Sequence, residues 1–143
     1  MRTFFAAGVA TIALGAAIVG AGIALTAQKQ LQKSTTFEWT ALKEELTAIG
    51  SRRMVMNAPT PTLDMLDMHV TTLNPGAVSH PPHQHPEEEI LIVREGQVET
   101  LQNGVATRCG PGSIIFHASN DLHNIRNVGS TPATYHVIQW RVR

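Results

Sequence analysis

Beyond Gly50 no apolar run exceeds strand length, and turn-forming residues interrupt the chain every few positions. A helix needs about ten residues of 3.6 periodicity to bury one face, whereas a strand needs only a short alternating run with a turn at each end. This pattern confines the chain to an all-β sandwich or barrel. Arg53 to Asn57 is a short candidate strand, ended by Pro59-Thr60-Pro61. Leu63 to Leu73 alternates, with Leu66, Met68 and Val70 on one face and Asp67, His69 and Thr71 on the other. Pro75-Gly76 turns the chain, and Ile90 to Val93 is the continuous apolar run of a strand covered on both faces. Val98 to Leu101 and Val105 to Arg108 flank Asn103-Gly104, whose residue types favour the positive φ angles of a type I′ hairpin. Ser113 to Phe116 follows Gly110-Pro111-Gly112, and Thr134 to Val142 closes the sheet.

The chain before Gly50 reads differently. Trp39, Leu42, Leu46 and Ile49 recur at helical spacing behind Thr35 and Glu38, a capping-box pair, and Gly50 ends the pattern. This predicts one amphipathic helix over 38–49, packed against the sheet or a second subunit, after a polar linker that starts at Gln28. Residues 3–28 carry no charge and follow Met1-Arg2, which is the form of a secretory signal. Cleavage after Ala24 or Ala27 sends the protein to the periplasm or outside the cell; left uncleaved, the segment is a membrane anchor. The expected organisation is a signal or anchor at 1–27, linker and helix at 28–50, and a β-barrel domain at 51–143.

Eleven basic residues balance eleven acidic ones, so nucleic acid and anionic membrane surfaces are poor partners. Cys109 is the single cysteine, which excludes an intrachain disulfide and leaves any metal to nitrogen and oxygen ligands. Those ligands are abundant, since the chain has seven histidines. His80, His83 and His85 stand just before Glu87-Glu88-Glu89. Three neutral imidazoles and one carboxylate suit a divalent transition metal and can leave positions open for substrate.

The run His83-Gln84-His85-Pro86-Glu87-Glu88-Glu89, with Gly96 after it, resembles the first motif of the cupins. Gly112, Ala118-Ser119-Asn120, His123 and Asn127 are similar to the second. Ala118 replaces the usual Pro and Asn120 the usual Gly; Asn tolerates the left-handed conformation best after Gly, so the turn is expected to survive.

The resemblance implies a double-stranded β-helix (jelly-roll) barrel. It also implies that His83, His85, Glu89 and His123 hold one metal ion (iron, manganese, zinc or copper). Glu87 competes with Glu89 on strand parity. Glu87, Glu88 and His80 are candidate proton acceptors, while His69, His136 and Gln139 are candidate pocket residues. His117 reads as structural, and Arg52-Arg53 as a solvated or interface pair. The resemblance implies a metal-dependent enzyme acting on a small organic molecule, dioxygenase-like in chemistry, or alternatively a non-catalytic binding barrel. Two copies are expected to pair into a homodimer through the 51–58 strand and the Trp39 segment. Export favours zinc or copper, which outcompete manganese and iron for such ligands outside the cytoplasm.

Overall fold

The computed structural model describes residues 30–143, so the expected signal or anchor lies outside the described residues. Among the described residues, nine strands follow one 3₁₀ turn, Trp39–Ala41. They are β1 (Glu44–Thr47), β2 (Gly50–Ala58), β3 (Leu63–Leu73), β4 (Glu88–Glu95), β5 (Val98–Gln102), β6 (Val105–Cys109), β7 (Ile114–His117), β8 (His123–Asn127) and β9 (Ala133–Val142). Six of them form one antiparallel sheet in the order β1-β2-β3-β9-β4-β7, and the other three a sheet in the order β6-β5-β8. The two sheets close a jelly-roll barrel around Leu73, Leu91, Val93, Val98, Ile115, Ile125, Ala133, Tyr135 and Val137.

Turn chemistry explains the connections. Asn103 and Gly104 have φ of 47° and 88° and join β5 to β6 as a hairpin. Asn120 has φ of 61°, so it keeps the left-handed turn in which glycine is usual. Gly96 is required twice over: its φ is 79°, and a Cβ there would stand 2.6 Å from the Cα of Ala133.

The helix expected over 38–49 does not form. Only Trp39–Ala41 takes helical turns, and Glu44–Thr47 pairs with β2 across the tight turn at Ala48-Ile49. The free edge of β2 supplies a ladder of backbone bonds, and Glu44 ties it down by binding Arg53 at 3.0 Å and the Ser51 hydroxyl at 2.7 Å. Backbone pairing outweighs apolar burial here, because Leu46 is left 85% exposed in the strand. The six-stranded sheet therefore begins at Glu44, inside the stretch expected to be linker and helix. Trp39 still reaches the outer face of that sheet, within 4.9 Å of the Arg53 guanidinium and 4.7 Å of that of Arg94.

Strand parity then decides what each side chain faces. In β3 the polar face turns inward: His69 and Thr71 line the barrel cavity, and Asp67 is buried beside them. Leu66, Met68 and Val70 take the opposite face of the sheet.

Candidate metal centre

His83 and His123 meet because their backbones pair. Each amide donates to the other's carbonyl, at 3.1 and 3.0 Å, so the loop bearing His83 lies against the start of β8. Glu89, early in β4, stands opposite His117 of β7 on one side and Gln139 of β9 on the other. The ligating atoms of His83, His85 and His123 lie within 4.8 Å of one another, as do those of Glu89, His117 and His123. His123 belongs to both groups, so the four residues of the expected quartet gather at one place.

Their protonation states follow from hydrogen bonding. Nδ1 of His83 donates to the His123 carbonyl at 3.1 Å, that of His85 to Glu87 at 2.9 Å, and that of His123 to Asp121 at 2.7 Å. A carbonyl can only accept, so each Nδ1 carries a proton, and it is Nε2 that has the lone pair whenever the ring is neutral. Burial, with repulsion from neighbouring rings, also lowers the pKa of His83 and His123 and favours neutral imidazoles.

Nε2 of His123 is buried with no hydrogen-bond partner among the described residues. It nevertheless lies 3.3 Å from Oε1 of Glu89. Two lone pairs at that distance repel, and an orphaned buried acceptor costs about 1–3 kcal/mol. A cation between them relieves both, and this donor set fits a divalent transition metal.

Glu89 is held by a residue read from sequence only as structural. His117, 2% exposed, donates from Nδ1 to Oε1 of Glu89 at 2.7 Å, while its Nε2 meets the Thr100 hydroxyl at 3.0 Å. Burial alone would raise the Glu89 carboxyl, but the hydrogen bond from His117, with the electrostatic attraction of the surrounding imidazoles, holds it below the ordinary carboxylate range. Strand parity carried the missed signal: His117 shares the inward face of β7 with Ile115.

The remaining candidates separate. Glu87 is turned to Arg141, at 2.8 Å, and Glu88 faces Trp140 on the outer side of the sheet; neither lines the cavity. His80 is an exposed rim residue with its ring centroid 3.9 Å from that of His83. Gln139 lines the cavity, its amide 3.4 Å from the His85 ring nitrogens. His69 lines it as well. His136 does not: it sits between the inward-facing Tyr135 and Val137, so the period of two turns it to the outer face. The cavity, about 280 Å³, also receives Arg52, which sequence reading left to solvent or an interface, and Tyr135, whose phenol is pushed up by burial and by the charge of Glu89.

A family model described as a cupin domain matches residues 69–139. The chain belongs to the cupin superfamily. Among solved structures, an RmlC-like cupin from Shewanella frigidimarina superposes with a TM-score of 0.65 at 17% identity, over 80% of this chain and 96% of that one. A predicted oxalate decarboxylase from Thermotoga maritima gives 0.60 at 18% identity, over 76% and 100%. Both likenesses are of fold. A curated relative, dimethylsulfoniopropionate lyase DddQ from Ruegeria pomeroyi, is 42% identical over 53 residues, 36% of this chain. This cupin matches only 26% of that lyase's length.

Proposed function

We propose that this cupin is an exported, metal-dependent enzyme acting on a small organic molecule. The observation that carries the metal is the orphaned Nε2 of His123 against Glu89. His83, His85, Glu89 and His123 would hold the ion, which when bound supplies Lewis-acid polarisation of a substrate oxygen. Backbone carbonyls hold the three rings in one tautomer, and His117 orients the carboxylate. Leu91, Ile125 and Val137 supply the apolar part of the wall, and a cavity of about 280 Å³ admits only a small substrate.

A binding barrel without chemistry needs little beyond the ligands and an apolar wall. Here the wall also carries His69, Gln139, Arg52 and Tyr135, polar groups able to orient a substrate or move a proton. These groups favour acid–base chemistry over the oxygen use expected from the resemblance. Support for export is the uncharged run at 3–28. Support for a homodimer is the exposed β1 edge, with Ile92, Ile114 and Phe116 forming an apolar patch on the outer face of β4 and β7.

The test is metal analysis of protein taken from its native compartment, followed by turnover of a panel that includes dimethylsulfoniopropionate, oxalate and small hydroxy- and keto-acids, with oxygen uptake recorded. Stoichiometric zinc or copper and oxygen-independent turnover are expected. Protein lacking any bound transition metal would refute the reading; iron or manganese alone would refute the metal choice; oxygen uptake tied to turnover would restore the oxidoreductase expectation. Light scattering should give twice the monomer mass, and a monomer removes the dimer.

A further inference from the structure

The quartet uses its imidazoles as ligands, so a reaction that moves a proton needs another base in the same cavity. Tyr135 is 2% exposed and its phenol stays protonated, while Glu87 is tied to Arg141. We propose that His69, oriented by Asp67, is that base, and that the substrate is a small carboxylate or carbonyl compound with a C–H next to that group. This rests on the metal-enzyme reading above.

One nitrogen decides which way the ring is protonated. Nδ1 of His69 lies 2.8 Å from Oδ1 of Asp67 and 3.0 Å from Nη2 of Arg52. It can donate to the carboxylate or accept from the guanidinium, but one nitrogen cannot do both. Asp67 is 6% exposed, and its other oxygen already accepts from the Asn57 amide at 2.7 Å. Arg52 has a side chain 42% exposed and stands 3.9 Å from Oδ1. Leaving a buried carboxylate oxygen without a donor costs more than turning a half-exposed guanidinium to water or ligand. The proton therefore sits on Nδ1, directed at Asp67. Nε2 is left bare on a ring that lines the cavity, with no hydrogen bond among the described residues.

The surroundings suit a proton acceptor. Arg52 of β2 and Asp67 of β3 flank the ring, Val137 of β9 lies beside it in register, and Glu89 of β4 acts from further across the sheet. In the step itself a substrate C–H bond breaks and an Nε2–H bond forms. The electron pair stays with the substrate, delocalised into its neighbouring carbonyl or carboxyl group. The Asp67 carboxylate balances the imidazolium, which returns its proton to product or solvent. Arg52 offers a positive partner for a substrate carboxylate on the same wall. Asp67 is a positioning residue in this scheme, since it acts through His69.

Nitrogen-15 NMR of histidine side chains in the zinc-loaded protein tests the assignment without a known substrate. His69 is expected with a protonated Nδ1 and a bare Nε2. Arg52→Gln should leave that state unchanged, and Asp67→Asn should shift Nε2 toward the N–H range. An Nε2–H tautomer in the natural protein overturns the proposal, as does loss of the Nδ1–H state in Arg52→Gln, which remains decisive should Asp67→Asn fail to fold. Diethyl pyrocarbonate, followed by peptide mass mapping, should modify His69 while zinc shields His83, His85 and His123; a protected His69 counts against it. Zinc binding is read from the three ligand rings in the same spectra. A protein that ignores zinc thus sinks the metal reading while His69 stays measurable.

Discussion

That His83, His85, Glu89 and His123 come together was legible residue by residue, because a motif fixes identity and spacing and both survive in one dimension. What the motif could not convey was which groups support it. His117 fills a place in which a merely structural residue would need no polar partner, yet both its ring nitrogens are engaged, with Glu89 and with Thr100. Replacing His117 by Phe keeps the bulk and removes the donor. Zinc affinity should then fall about 10- to 100-fold, the usual cost of losing a group that orients a ligand. Calorimetric titration of the variant checks this, and an unchanged affinity would return His117 to a packing role. His136 shows the converse limit: its type suited a pocket, but a shift of one position along β9 sends it to the other face.

At the scale of elements, turns and alternation translated well. The Leu63–Leu73 alternation became β3 over the same residues, and Asn103-Gly104 became the hairpin between β5 and β6. Two elements were misread or missed for physical reasons. The 38–49 periodicity had no partner surface in the sequence to compete with, whereas the fold presented the bare edge of β2. The β8 strand is short and mixed in polarity, and it is held by β5 and the His83 loop, neither of which is a sequence neighbour. Local conformation is testable at Asn120, whose φ of 61° strains any residue with a Cβ but suits asparagine better than most. Asn120→Ala should lower stability by about 1 kcal/mol, while Asn120→Gly should be neutral or slightly stabilising. Urea unfolding of the two variants measures it; equal losses would mean that the side chain, not the backbone angle, matters there.

Across the whole molecule, burial of imidazoles couples the fold to pH. His69, His83, His123 and His136 all have pKa values lowered by burial. In the metal-free protein the unfolded chain therefore binds more protons than the folded one once pH falls below about 6.5. Stability rises with pH through that window, so acidification from neutral pH should lower the unfolding midpoint. Glu89, also lowered, extends the loss to more acidic pH as the carboxyl itself is protonated. Thermal unfolding at stepped pH tests this, and a flat profile from about pH 7 to 5 contradicts it. Zinc at about 100 times its dissociation constant should add about 2.7 kcal/mol at neutral pH and lose that gain on acidification, since protons compete for the same nitrogens. By itself the sequence determined the all-β class, most strand limits and the identity of the ligand candidates, because alternation, turn residues and motif spacing are local properties. Only the tertiary structure decided that Glu44–Thr47 is a strand, that His117 grips Glu89, and that Asp67 and Arg52 meet at His69. Those depend on which strand edges lie free and which strands become neighbours, and in a barrel the neighbours are far apart in the chain.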